Sequence, residues 1–200
     1  GIGPSLEVNY GAAPNLQLHA IANLAYDNAP GQASQFGPGD PELGAKYRFV
    51  VPGDDDWFPQ VGTFPLMELP SGDAKKGLGA GYVQAFLPIW LQKDFGKWTT
   101  YGGAGYWINP GPGNRDFWYV GWLVQRQVTD RLMLGGEIFH ATSGMVGRSG
   151  SFGFNLGGQY DLSDRDHLLL SIGHGGMLYA VDARAVSDPF TYYIAFQWTY

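Results

Sequence analysis

From Val83 to Gln92 the side chains change character at every step. Val83, Ala85, Leu87, Ile89 and Leu91 fall on one side, and Gln84, Phe86, Trp90 and Gln92 on the other. A period of two residues is the signature of a β-strand whose faces meet different surroundings. The pattern recurs along the chain. Leu43, Ala45, Tyr47 and Phe49 oppose Glu42, Lys46 and Arg48. Phe152, Phe154, Leu156 and Tyr160 oppose Asn155, Gln159 and Asp161. Phe190, Tyr192, Ile194, Phe196, Trp198 and Tyr200 oppose Thr191, Gln197 and Thr199. Turn residues separate the segments, which gives eleven readable strands at 5–11, 15–26, 41–50, 59–70, 82–93, 98–109, 116–128, 132–141, 151–162, 167–175 and 189–200. Such a chain folds as antiparallel β-structure with one greasy face.

A soluble sandwich would show the same period. Strand length and aromatic placement separate the two cases. Most segments have nine or more residues, where a globular strand has about 5–6 and a tilted transmembrane strand needs about 9–11. Aromatics gather near strand ends: Trp57, Phe58, Phe95, Trp98, Trp107, Phe117, Trp118, Trp198 and Tyr200. Amphipathic rings suit the headgroup level of a bilayer. Charged residues make up 15% of the chain, against about 25% in soluble domains. No run reaches the roughly 18 apolar residues of a membrane helix; the longest candidates are short, such as 86–91. The expected fold is a single all-β domain over 1–200, an up-and-down transmembrane β-barrel in the outer membrane of a Gram-negative bacterium, in contact with bilayer lipid or lipopolysaccharide.

The connections alternate in length. Short turns are expected at 12–15, 52–58, 94–97, 129–131 and 163–166, and long loops at 27–40, 71–81, 109–116, 142–150 and 175–188. Short turns at one end and long loops at the other are the bacterial outer-membrane arrangement, with the short turns periplasmic. The C-terminus then leaves on the periplasmic side and the first strand starts on the other. Since single-chain bacterial barrels have even strand numbers, the expectation is a strand upstream of 5–11, a barrel of 12 strands when complete, and an irregular seam between 5–11 and 189–200 without it.

The wording of the strands and loops resembles the meta-pathway phenol-degradation family of outer-membrane transporter-like proteins. The matching stretches are EVNYGAAPNLQLH (7–19), GDPELGAKYRFV (39–50), PQVGTFPLMELPSGD (59–73), FLPIWLQKDFGKWTTYGGAGYWINPG (86–111), GWLVQRQVTDRLMLGGEIFH (121–140), FNLGGQYDLSD (154–164) and YYIAFQWTY (192–200). The resemblance implies a segment before EVNYG and passage of small hydrophobic molecules. It also implies that the strand ending in Tyr200 is read by the barrel-insertion machinery. It supplies no catalytic residue.

Charged groups cannot face lipid cheaply; Arg or Lys at the bilayer midplane costs about 2–4 kcal/mol. The expected lumen lining is therefore Glu7, Asn9, Gln17, His19, Glu42, Lys46, Arg48, Glu68, Gln84, Gln125, Glu137, Asn155 and Gln159, joined by Phe64, Leu66, Phe86, Trp90, Tyr101 and Phe139. A lumen mixing rings with a few charges fits passive uptake of small hydrophobic molecules, aromatic ones among them. The alternative is a structural or partner-binding barrel, plugged by Glu42, Glu68 and Glu137 pairing with Lys46 and Arg48. A third reading is a lipid-modifying enzyme at the rim, where His140 and His174 lie near Ser143, Ser149, Ser151 and Asp182; no GxSxG is present. No cofactor is expected. The histidines are scattered without zinc spacing, and the acidic loop 27–40 and the acidic tip at 53–56 are at most loose calcium sites. Net charge is −6 with no basic patch, which argues against nucleic acid. Cysteine is absent, so disulfides and thiolate chemistry are excluded. Oligomeric state and substrate identity are not legible.

Overall fold

The computed structural model describes residues 2–28, 33–53, 56–175 and 190–200. The expected loop 175–188, with Asp182, and the acidic tip at Asp54 fall largely or wholly outside them. The described chain is all-β: β1 (Ile2–Ala13), β2 (Leu16–Asp27), β3 (Gln35–Pro38), β4 (Glu42–Val50), β5 (Gln60–Thr63), β6 (Leu66–Glu68), β7 (Gln84–Phe95), β8 (Trp98–Ile108), β9 (Phe117–Thr129), β10 (Leu132–Ala141), β11 (Ser151–Asp161), β12 (Asp166–His174) and β13 (Phe190–Trp198). One short 3₁₀ turn, Ala74–Lys76, lies between β6 and β7. No helix among the described residues is long and apolar enough to cross a membrane.

All thirteen strands belong to one barrel-like antiparallel sheet with order β1-β2-β4-β5-β7-β8-β9-β10-β11-β12-β13. Among the described residues β1 and β13 are not joined by a ladder. The strand count exceeds the eleven read from sequence because two wall strands are broken. β3 and β4 both pair with β2, and the break between them falls at Gly39–Asp40–Pro41. The segment expected as 59–70 divides into β5 and β6 at Phe64–Pro65. The register puts that break opposite Leu87–Pro88, since Thr63 pairs with Ile89 and Leu66 with Phe86. Neither Pro65 nor Pro88 has an N–H to give the ladder. The Pro65 carbonyl still accepts from the Ala45 N–H at 3.1 Å on the other side.

The expected alternation of connections holds only in part: the turn expected at 52–58 spans nine positions between β4 and β5, more than the eight between β8 and β9, and β3 lies within the expected loop 27–40. Two-residue turns join β1 to β2, β7 to β8 and β9 to β10. Asn15 and Gly96 adopt the left-handed conformation in the first two. Both β13 and the short β11–β12 turn end on the same side, where the Thr199 N–H donates to the Arg165 carbonyl.

The two faces differ sharply. Ile138 is 55% exposed, and its neighbour Phe139 is 4% exposed. The outer face carries Leu6, Val8, Leu43, Leu87, Ile89, Trp122, Val124, Leu134, Leu156, Ile172, Ile194 and Phe196, all exposed. The inner face carries the packed cluster of Leu66, Phe86, Trp107, Phe117 and Ala141, flanked by Phe64, Trp90 and Tyr119. Trp107 and Phe117, expected among the rings at the strand ends, point inward; the remaining rings of that set are exposed.

Rings fit inside because the adjacent strand offers glycine. A Cβ on Gly105 would stand 2.3 Å from the Phe86 ring, and one on Gly153 would stand 2.4 Å from the Phe139 ring. A strand glycine of this kind marks close approach rather than weakness. Gly105→Ala should therefore destabilise the protein by about 1–3 kcal/mol, the usual cost of overpacking. Gly11→Ala, where nothing lies within 4 Å, should stay within about 0.5 kcal/mol. Denaturant unfolding of the two variants beside the parent checks this.

Candidate functional site

The inner wall is divided along its axis into an acidic belt, an aromatic block and a basic cleft. The belt comes from the register. His19 faces Asn9, Glu42 faces Glu68, and Glu68 faces Gln84 across successive ladders. The inward positions of β1, β2, β4, β6 and β7 thus form a polar row running across the strands. His19 sits within it, buried, with Nε2 2.9 Å from Glu42 Oε1 and Nδ1 3.0 Å from Asn9 Oδ1. Glu7 Oε1 lies 3.5 Å from the same Nδ1 and accepts from the Asn9 amide at 2.6 Å. The His19 ring meets Phe64 edge-on, with centroids 5.1 Å apart.

Glu68 is 2% exposed. Its Oε2, together with Gln84 Oε1 and Asn23 Oδ1, is a buried acceptor without a partner among the described residues. Gln84 donates instead to the Asn109 side-chain carbonyl. Asn109 is 1% exposed and ties the wall to the loops, its amide donating to the Gly144 carbonyl at 3.0 Å.

These loops form an ordered cap at the long-loop end. Asp40 is the fastener of the β6–β7 connection: its carboxylate accepts from the Gly72 and Ala80 N–H groups, each at 2.7 Å. Leu78 from the same loop is 3% exposed. On its exposed tip, Asp73 accepts from Lys75 N at 3.1 Å, and its hydrogen bond to Lys76 holds its carboxyl below the usual carboxylate range. The loops at 109–116 and 142–150 pair through Arg115 N to Gly144 O at 3.0 Å and Val146 N to Gly113 O at 2.9 Å. Below the cap, Phe86 stacks on Trp107 at 4.9 Å, Trp107 on Phe117 at 5.9 Å, and Tyr119 on Phe139 at 6.0 Å.

Toward the short turns the wall opens into two hollows. One of about 80 Å³ lies between β4, β5, β7 and β8, lined by Lys46, Arg48, Gln60, Phe64, Trp90 and Tyr101 among others. The other, of about 320 Å³, lies by Lys97, Thr99, Gln125, Gln127 and Met133.

The expected lining is brought to one face, but its pairing differs from the plug considered above. Glu42 engages His19, and Glu137 accepts from Asn155 at 2.5 Å. Gln159 donates to Asp161 at 2.8 Å, beside His167. Gln17 stands in register with Lys46. Among the described residues no carboxylate oxygen comes within 4.0 Å of Lys46 or Arg48. Lys46 lies 4.8 Å from the Phe64 centroid, and Arg48 donates to the neutral oxygens of Gln60 and Asn15 at 3.2 and 3.0 Å. His140 and His174 are exposed on the outer face, where His174 stacks on Phe154, while Ser143 donates to its own loop at Met145 O. Asp40, Trp107, Asn109 and Phe117 extend the interior beyond the expected set. Strict alternation from Tyr101 reaches Trp107 and Asn109.

Compared with known protein families and with curated proteins, the sequence matches none.

Asp40→Ala removes both carboxylate anchors of the β6–β7 loop. Trypsin should then cut at Lys75–Lys76 at least tenfold faster than in the parent, with β-sheet content unchanged, as followed by peptide mass mapping and circular dichroism.

Proposed function

We propose that this chain is a bacterial outer-membrane β-barrel that lets small hydrophobic molecules, aromatic ones among them, pass through its interior. One observation carries the reading: the outer face of the sheet exposes Leu, Ile, Val, Phe and Trp side chains on strand after strand. Soluble monomers rarely expose an apolar patch beyond about 300–600 Å². A hydrocarbon surround removes that cost. It also accounts for ionisable groups on the opposite face, where Glu42 and Glu68 are buried. In this setting the short turns and the C-terminus are periplasmic, and the capped long loops are extracellular. The likeness to the meta-pathway phenol-degradation family, insertion through the strand ending in Tyr200, and a complete wall of 12 strands belong to the same reading.

A second reading has its own support. The Phe86–Trp107–Phe117 stack and the Asn109-anchored loops fill the interior beneath the cap, as a structural barrel with a plugged lumen would require. On the transport reading, those rings form a greasy passage that small apolar molecules cross and water-seeking ones do not. Vesicles containing the purified protein should take up benzyl alcohol or a similar aromatic solute several-fold faster than protein-free vesicles, and exclude a sugar of similar size. Equal entry of both solutes, or of neither above background, would overturn the transport reading, and the second result would favour the plug.

A further inference from the structure

We propose that the cleft between β4, β5, β7 and β8 is a binding site for a small aromatic carboxylate, its ring against Trp90 and Tyr101 and its carboxylate on Lys46 and Arg48. The inference names a substrate class for the proposed passage and rests on that reading for its physiological meaning.

Two cations share the inward face of β4, two residues apart, and neither has an ion-pair partner among the described residues. Glu7, whose charge reaches Lys46, is held in the His19 cluster. Both side chains are exposed to solvent in the cleft, so an arriving anion reaches them without displacing a protein counter-charge. Both cations are also fixed in place. Lys46 is held over the Phe64 ring. Arg48 has two donors committed to Gln60 and Asn15, which leaves three of its five N–H groups for a ligand. A planar guanidinium beside an ammonium suits a carboxylate.

The neighbouring strands β7 and β8 supply the second requirement. Trp90 and Tyr101 stack with centroids 5.2 Å apart and planes 23° from parallel. They present aromatic surface to the same hollow as the two cations. At about 80 Å³ the cleft is far smaller than the roughly 300–1,000 Å³ of drug-sized sites. That is room for one small ring. An aliphatic acid would leave the rings unused, and a neutral aromatic would leave the charges unused.

Calorimetric titration of the full chain in detergent micelles with benzoate, benzyl alcohol and acetate at neutral pH tests the site. Benzoate should bind about tenfold or more tightly than either comparator, the value of a charge-assisted contact, and its affinity should fall as salt is added. Lys46→Gln should weaken benzoate about tenfold and leave benzyl alcohol unchanged, and Lys46→Arg should restore benzoate. Equal affinity of benzoate and benzyl alcohol for the parent protein would overturn the proposal without recourse to any variant. So would a Lys46→Gln protein that binds benzoate as the parent does. Benzoate binding without benzyl alcohol uptake into vesicles would leave the site standing and sink the passage. Benzyl alcohol uptake without preferential benzoate binding would do the reverse.

Discussion

A β-strand cannot hide both faces from different solvents with the same residues, and here alternation is kept for nine or more residues in strand after strand. One face must therefore be apolar over its whole height. The inner side of the sheet is already occupied by Phe86, Trp107, Phe117 and Phe139 and by the His19–Glu42 cluster. Among the described residues no element covers the other side. That single imbalance governs the rest: where charges may sit, why the interior is crowded, and what medium is proposed outside.

The crowding inside is resolved by pairing large with nothing. Phe86 lies over Gly105, Trp90 over Gly103, and Phe139 over Gly153, so rings from one strand occupy space that the next vacates. The polar groups obey a parallel economy. Asp40 satisfies two loop N–H groups at once, and Asn109 links the wall to two loops. Among the described residues, groups left without a donor or a counter-charge within 4.0 Å gather in two places: the acceptor-rich surroundings of Glu68 and the exposed Lys46–Arg48 pair. The axial separation of acid from base on β4 gives the interior a direction.

Much of this was legible from period and turn chemistry. The inward set on β4, with Glu42, Lys46 and Arg48, and the outward set on β7, with Leu87 and Ile89, fall where alternation puts them. The two broken strands were less visible. One break, at Gly39–Asp40–Pro41, separates β3 from β4; the other comes from Pro65 and Pro88 on adjacent strands, one step apart in register, and register between segments is not written in either segment alone. Position near strand ends suggests the rim for Trp107 and Phe117, whereas period two from Tyr101 and Tyr119 points them inward. Pairing inside the wall was also illegible: sequence lists acids and bases, but only three-dimensional register brings Glu42 to His19 and keeps it from Lys46.

The central claim is that lipid touches the outer face and not the inner one. Single-tryptophan variants retaining only Trp122, exposed outside, or only Trp107, buried inside, can be placed in vesicles whose acyl chains carry bromine. The account predicts strong quenching of Trp122 and little quenching of Trp107. Equal quenching of the two, or a Trp122 signal insensitive to brominated lipid, would contradict it.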